Sequence, residues 1–295
     1  MIRLSVAFRN KYPKTARKVL AFLDEATGKE ETDFADITKP ALSAFVEAMC
    51  ERLADSSART YAAQLKAVLN LYSEEAQLPK GWEKVLTIRN DVSEQIYLTD
   101  EEVGRIIHYV PDTFNEAVVQ QQFVLSCLIG ARHGYILRMT ENNIRGNFIH
   151  YVSEKTHIKA QVPLSDVARR ILTGEFCNMP GLYGEEGIER FAYRRRLCDK
   201  VFNNTIREIC RRCDIDDTMT LYKRGHDITA PKWQFVSSHT GRRTCASLLY
   251  LHGCDIYTIS RILAHASVEM TAKSYILCPI RQLSEETLAY FTQFK

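Results

Sequence analysis

The chain has 295 residues, which at roughly 150 residues per domain suggests about two domains. Hydrophobic residues make up 45% and charged residues 25%, a composition that excludes a disordered or fibrous chain. The 39 Lys plus Arg against 36 Asp plus Glu leave a net charge of only +3, which excludes a histone-like polycation but allows a basic surface balanced by acidic patches. Apolar stretches such as Phe123 to Gly130 fall far short of the roughly 20 residues that cross a bilayer, so no membrane is expected. The N-terminus meets Arg9, Lys11 and Lys14 without a signal-peptide core. Nine scattered cysteines, an odd number in a chain long enough for a real core, argue against a disulfide framework and for a reducing cytosol.

Three helices are predicted in the first 75 residues. Ala16, Val19, Leu20 and Leu23 recur at helical spacing, with Gly28 as a stop. Thr38 and Pro40 open a second helix that carries Leu42, Phe45, Val46, Met49 and Leu53 on one face. The third follows the Ser56-Ser57 cap signal, burying Tyr61, Leu65, Val68, Leu69 and Tyr72 and leaving Arg59 and Lys66 on the polar side. From about Pro79 to Leu98 the periodicity lapses, as in a linker, and Thr99 with Glu102 then reads as a capping box. The expected division is an all-helical domain over 1–90 and a second domain over 91–295.

Phe123 to Ile129 suits a buried helix ending at Gly130. Phe148 to Val152 and Lys159 to Pro163 flank a turn as a hairpin, the one strand pair expected. The segment Glu189 to Arg212 carries eight Lys or Arg against three acids, a local excess of five that is either a solvated face or a binding surface for a polyanion. Cys210 and Cys213 form a C-x-x-C with no second ligand pair for zinc, so helix packing or surface placement is expected. The arginines between them would lower the thiol pKa values. The second domain is therefore mainly α, an α+β unit with a small antiparallel sheet.

The chemistry-bearing cluster lies near the C-terminus. A helix from Thr240 to His252 would project His239 and Arg242 to one side of its first turn. Gly253, a helix from about Ile256 to Leu263, then His265 and Tyr275 follow. This pattern, His239-x-x-Arg242, then Leu263-Ala264-His265-Ala266-Ser267 and a tyrosine soon after, resembles the tyrosine recombinase (phage integrase) family. Gly130-Ala131-Arg132 is similar to the family's first arginine box, and Lys155-Thr156 sits in a hairpin where the family keeps its catalytic lysine. The helical unit before Thr99 looks like the family's SAM-like core-binding domain. The Gly-Ala-Arg-His run from Gly130 and the Tyr-Val-Ser-Glu-Lys run from Tyr151 look closest to integrases of Bacteroides-type mobile elements.

The resemblance implies a site-specific DNA recombinase that cleaves and rejoins strands through a 3′-phosphotyrosine. Arg132 and Arg242 would stabilise the charged transition state, since guanidinium forks suit phosphate oxygens. Lys155 would protonate the departing 5′ oxygen, with Lys159 as a nearby alternative. His239 would take the tyrosine proton and His265 would bind a phosphate oxygen. Tyr275 would be the nucleophile, Tyr257 and Tyr290 lacking the spacing to His265. Arg243 shares a face with His239, but the family spacing selects Arg242. Cations supplied by the protein would leave no need for a metal or other cofactor.

The expected partners are double-stranded recombination sites, gripped by Arg194, Arg195 and Arg196 on one side and by Arg59 and Lys66 of the other domain in a clamp. A homotetramer on DNA and accessory DNA-bending proteins, in a prokaryotic cytoplasm at the nucleoid, complete the expectation. Residues after Tyr275 (Leu283, Leu288, Tyr290, Phe291, Phe294) suit a helix docking on a neighbouring subunit, and the chain starts too close to its first core helix to hold a separate arm-binding domain. Two departures from the family stand out. Its tyrosine usually lies nine residues after the box histidine, where Ser274 stands here, and Tyr135 occupies a position that commonly holds a carboxylate. One extra residue rotates a helix by about 100°, so either the preceding turn absorbs it or the nucleophile is misplaced. The alternatives are a catalytically decayed DNA-binding protein and a type IB-like topoisomerase.

Overall fold

A computed structural model of the chain describes residues 2–74, 76–88, 94–153, 156–176, 188–223 and 226–274. Lys155, Tyr275 and the expected C-terminal docking segment lie outside the described residues. The chain divides into two compact units, one of Met1–Ser93 with Tyr222–Asp227, the other of Glu94–Leu221 with Ile228–Lys295.

The first unit is helical: α1 (Leu4–Lys11), α2 (Ala16–Thr27), α3 (Lys39–Arg52) and α4 (Asp55–Leu71). Three of these match the periodicity in the sequence. The fourth, α1, was not expected. Its N-cap Arg3 makes no side-chain cap, and Asp33 supplies one from a distance, its Oδ1 accepting from the Leu4 amide at 3.0 Å. Helix α4 begins at Asp55 after an Ala54 cap, so Ser56 and Ser57 lie in its first turn instead of capping it. The expected linker contributes to both cores: Trp82 and Leu86 are buried with Leu4, Phe8, Phe45 and Leu65 in the first unit, while Ile96 and Leu98 are buried in the second.

The second unit packs around α6 (Phe114–Ile129), which is buried along nearly its whole length, including Gln120, Gln121 and Gln122. Preceding it is α5 (Asp100–His108), with the Thr99–Glu102 capping box formed. After α6 come α7 (His133–Ile136), β1 (Ile144–Arg145), β2 (Phe148–Val152) and β3 (Lys159–Pro163), then α8 (Asp166–Thr173) and α9 (Asp199–Arg212). The strands form an antiparallel sheet in the order β1-β2-β3, with Tyr151 opposite Ala160. A second hairpin, β4 (Thr218–Lys223) with β5 (His226–Pro231), was not expected. β5 is largely open to solvent, so no apolar alternation marks it.

The unit closes with α10 (Ser238–Leu251), α11 (Ile256–Ile262) and α12 (Val268–Ser274). α10 crosses α6 closely at Gly241, where a Cβ would stand 2.9 Å from the Ser126 Cβ and 3.2 Å from the Phe123 carbonyl oxygen. Cys210 and Cys213 both point into the core. Burial pushes both thiols up, Cys213 to about 11, against the lowering expected from the adjacent arginines.

Candidate active site

Arg242 anchors the site. It lies in the second turn of α10 with only 2% of its surface exposed, so its charge must be met from within. Nη1 donates to the Gly130 carbonyl at 2.5 Å and Nη2 to the Leu263 carbonyl at 2.6 Å. Both acceptors sit where helices end and carbonyls lack intrahelical partners: Gly130 is the left-handed C-cap of α6 and Leu263 the C-cap of α11. Gly130 has φ +64°, and a Cβ there would meet the Leu263 side chain at 2.6 Å and the Cys245 Sγ at 3.0 Å.

The next and previous carbonyls of the α11 terminus are also taken. Tyr151 on β2 donates its hydroxyl to Ile262 at 3.3 Å, and Thr156 in the β2–β3 turn donates Oγ1 to Ala264 at 3.1 Å. Three consecutive carbonyls, of Ile262, Leu263 and Ala264, are thus held from a strand, a helix and a turn. Ala264 itself is left-handed, φ +50°, a conformation uncommon outside glycine. Tyr151 packs its ring against Tyr135 with centroids 5.7 Å apart, and burial pushes its phenol up to about 12 although Arg242 and Arg132 oppose the shift.

Arg132 caps the start of α7, half-buried, with Nη1 3.4 Å from the Ser153 Oγ. Ser153, fully buried, also accepts from the Thr156 amide at 3.4 Å. Both bonds are long. They link Arg132 to the turn whose far end holds Ala264. Tyr151, Ser153 and Thr156 stood in the sequence only within longer motifs, with no role assigned to them. Only their position around Glu154-Lys155 could have marked them.

His265 follows, 3% exposed, with its amide on the Ser260 carbonyl at 3.0 Å and Nδ1 2.8 Å from the Thr271 Oγ1. Desolvation, reinforced by Arg242 and Arg132, lowers its pKa to about 3. The ring is therefore neutral at ordinary pH. If Thr271 donates to Nδ1, Nε2 carries the hydrogen. His239, with an edge open to solvent in the first turn of α10, is likewise lowered, by partial burial of the ring and then by Arg243, Arg242 and Arg132, while Asp199 opposes. Arg132 and Arg242 thus both lie close enough to lower each histidine. A neutral base, a neutral donor and two guanidiniums can bind an anion and accept a proton beside it.

Alongside runs a cleft of about 1070 Å³ lined by His133, Arg138, Arg194, Arg196, Cys198 and Asp199. His133 Nε2 lies 2.8 Å from the Gln122 Oε1, and Gln122 Nε2 reaches the Tyr193 and Arg195 carbonyls at 2.7 Å each. One buried glutamine therefore ties α7 to the basic run. The Arg194 guanidinium lies 4.3 Å from the Phe191 ring centroid. Arg194, Arg195, Arg196 and Lys200 are exposed. The rest of the stretch is less available than its composition suggests: Arg211 and Arg212 are bound to Glu208, Arg212 also to Asp112, and Arg207 to the Val236 carbonyl.

In the first unit, Arg59 and Lys66 are not simply on a solvated face. Both are half-buried; Lys66 donates to the Glu83 carbonyl at 3.1 Å and Arg59 has an enclosed Nε. No helix among the described residues is long and apolar enough to cross a membrane.

A profile of the phage integrase family matches residues 97–277. A protein of Pseudomonas phage Pf1, provisionally described as an integrase, is 26% identical over 238 residues, or 80% of this chain; the chain spans 61% of that relative's length. The solved Tn1549 transposon integrase, in complex with a circular intermediate DNA, is 11% identical with a TM-score of 0.67, over 98% of this chain and 100% of that one. A lambda integrase tetramer bound to a Holliday junction is 14% identical with a TM-score of 0.59, over 92% of this chain and 77% of that one. At such identities the solved structures speak to the fold, mainly helical with small antiparallel sheets.

Proposed function

The chain belongs to the phage integrase family, and from that premise we propose that it is a site-specific tyrosine recombinase, acting on double-stranded DNA as the integrase of a mobile element. What supports the reading is that Arg132 and Arg242, from the start of α7 and from α10, both lie close enough to add to the desolvation that lowers the pKa of His239 and of His265, a grouping of residue types that strand cleavage at phosphorus would use.

In the proposed step the Tyr275 oxygen attacks phosphorus and passes its proton to neutral His239. The phosphorus–O5′ bond breaks, and Lys155 gives a proton to the departing oxygen. Arg132 and Arg242 hold the nonbridging oxygens where charge accumulates, and His265 donates to one of them. The covalent ester keeps the bond energy for religation. Arg194, Arg195 and Arg196 bind flanking phosphates. We assign Arg59 and Lys66 to the same duplex, and the first unit to the core-binding role.

The proposal extends to a homotetramer on two sites, accessory DNA-bending proteins, a Bacteroides-type element and a cytoplasmic, nucleoid location. The test is trapping on a nicked half-site followed by mass spectrometry. An adduct on Tyr275 that Tyr275→Phe abolishes is expected, and an adduct on another residue would move the nucleophile. The second reading, a DNA-binding protein without chemistry, is favoured by Ser274 at the ninth position after His265 and by Tyr135. Binding with no adduct on any site would select it. Relaxation of supercoils without a specific site would select a topoisomerase.

A further inference from the structure

We propose that Thr156 is a positioning residue of the strand-cleavage centre: by donating to the Ala264 carbonyl it fixes the β2–β3 turn against the segment that carries His265. The turn has two anchors at its described ends. At one, Ser153 Oγ receives Arg132 and the Thr156 amide. At the other, Thr156 Oγ1 reaches Ala264, 108 residues away in sequence and adjacent to His265. The turn backbone closes on itself through the Ser153 amide on the Ile158 carbonyl at 2.9 Å and the His157 amide on the Ser153 carbonyl at 2.6 Å, with His157 at φ +54°.

Thr156 is half-buried, and a valine would fill the same space without the bond to Ala264. The Thr156 bond therefore transmits one thing, the position of the turn relative to the phosphate-binding groups. Lys155 immediately precedes Thr156 in the chain. The inference rests on the proposed role of Lys155 as proton donor, and a donor must lie within hydrogen-bond reach of the oxygen it protonates. Misplacement by about 1 Å costs on the order of 10²-fold in rate.

The test compares ordinary DNA with DNA carrying sulfur at the bridging 5′ position of the scissile phosphate. When the phosphorus–sulfur bond breaks, the thiolate departs without a proton, its conjugate thiol having a pKa of about 8.5. A core site selected by binding from a random-duplex library is nicked to trap the covalent product, and single-turnover rates are measured on both substrates. Lys155→Ala is expected to be slow on oxygen and restored on sulfur. Thr156→Val is expected to follow it, about 10²-fold slow on oxygen and near the unsubstituted rate on sulfur, while Thr156→Ser, which keeps the hydroxyl, stays within a few-fold on both.

The oxygen-to-sulfur ratio is taken on one preparation, so a partly unfolded variant does not distort it. Thr156→Val at full rate on oxygen, or equally slow on both substrates, overturns the proposal while leaving a restored Lys155→Ala intact. Lys155→Ala left slow on sulfur overturns the donor role and the proposal with it.

Discussion

Arg242 holds two helix ends together besides its proposed part in strand cleavage, so its replacement should register in a stability experiment as well as in activity. Arg242→Ala removes both donors from the Gly130 and Leu263 carbonyls, at about 1–3 kcal/mol for each buried carbonyl left unpaired. Urea unfolding should show that loss with no DNA present, and Arg242→Lys, a point charge without the fork, should recover only part of it. His265 makes a pH prediction. Its folded pKa, near 3, lies below the 6.5 of an ordinary imidazole. The unfolded chain takes up the extra proton between those values, so the stability that depends on the neutral ring is complete above about 6.5 and declines as pH falls toward 3. The urea midpoint should drop between pH 7 and 5, and drop less in His265→Gln. His239 makes a kinetic one. Its pKa is also lowered, so single-turnover cleavage should be flat above pH 6.5 and fall below it; a limb unchanged in His239→Gln would remove His239 as the base. The types and order of these residues were legible in the sequence because their spacing is set along the chain. Tyr151, Ser153 and Thr156 were not, since what they do depends on carbonyls more than a hundred residues away.

At the scale of elements, the close crossing of α6 and α10 depends on a missing side chain. Gly241→Ala would place a Cβ against Ser126 and the Phe123 carbonyl. Unlike a flexible side-chain tip, the α6 backbone cannot give way cheaply, so a loss of about 1–3 kcal/mol is expected in chemical denaturation. α5 is fastened differently. Lys232, in the 3₁₀ turn Lys232–Phe235, donates to both Glu102 oxygens at 2.8 and 2.6 Å, and both side chains are nearly inaccessible. Lys232→Met should cost about 3–5 kcal/mol by leaving a carboxylate buried and uncompensated, and adding Glu102→Leu should return part of it. The capping box made Glu102 visible in the sequence, but its second bond, to a lysine 130 residues later, was invisible. Helix periodicity revealed α2, α3 and α4 because each buries an apolar stripe of its own. α1 is short and capped from afar, and β5 buries little, so neither left a local pattern.

For the whole molecule, the small net charge conceals a local one. Charge counting over 189–212 overstates the basic surface, because Arg211 and Arg212 are already engaged by Glu208 and Asp112. Replacing Arg194, Arg195 and Arg196 with alanine should weaken DNA binding and flatten the dependence of log K on log salt by roughly 0.9 for each phosphate no longer neutralised. Arg211→Ala should leave that slope unchanged. The capping box at Thr99 made the start of α5 legible. The extent of each core was not, because Trp82 and Leu86 on one side and Ile96 and Leu98 on the other lack any helical repeat.

The grip of Arg242 on two peptide oxygens also bears on descent. A lineage that stopped cutting DNA would be released from keeping a group whose only employment was chemical, and such positions would drift. Arg242 would not be released, because the ends of α6 and α11 would still need their partner. Keeping this arginine would therefore not by itself mark a chain that still cuts DNA, whereas the tyrosine, proposed for a chemical role alone, would be the place to look.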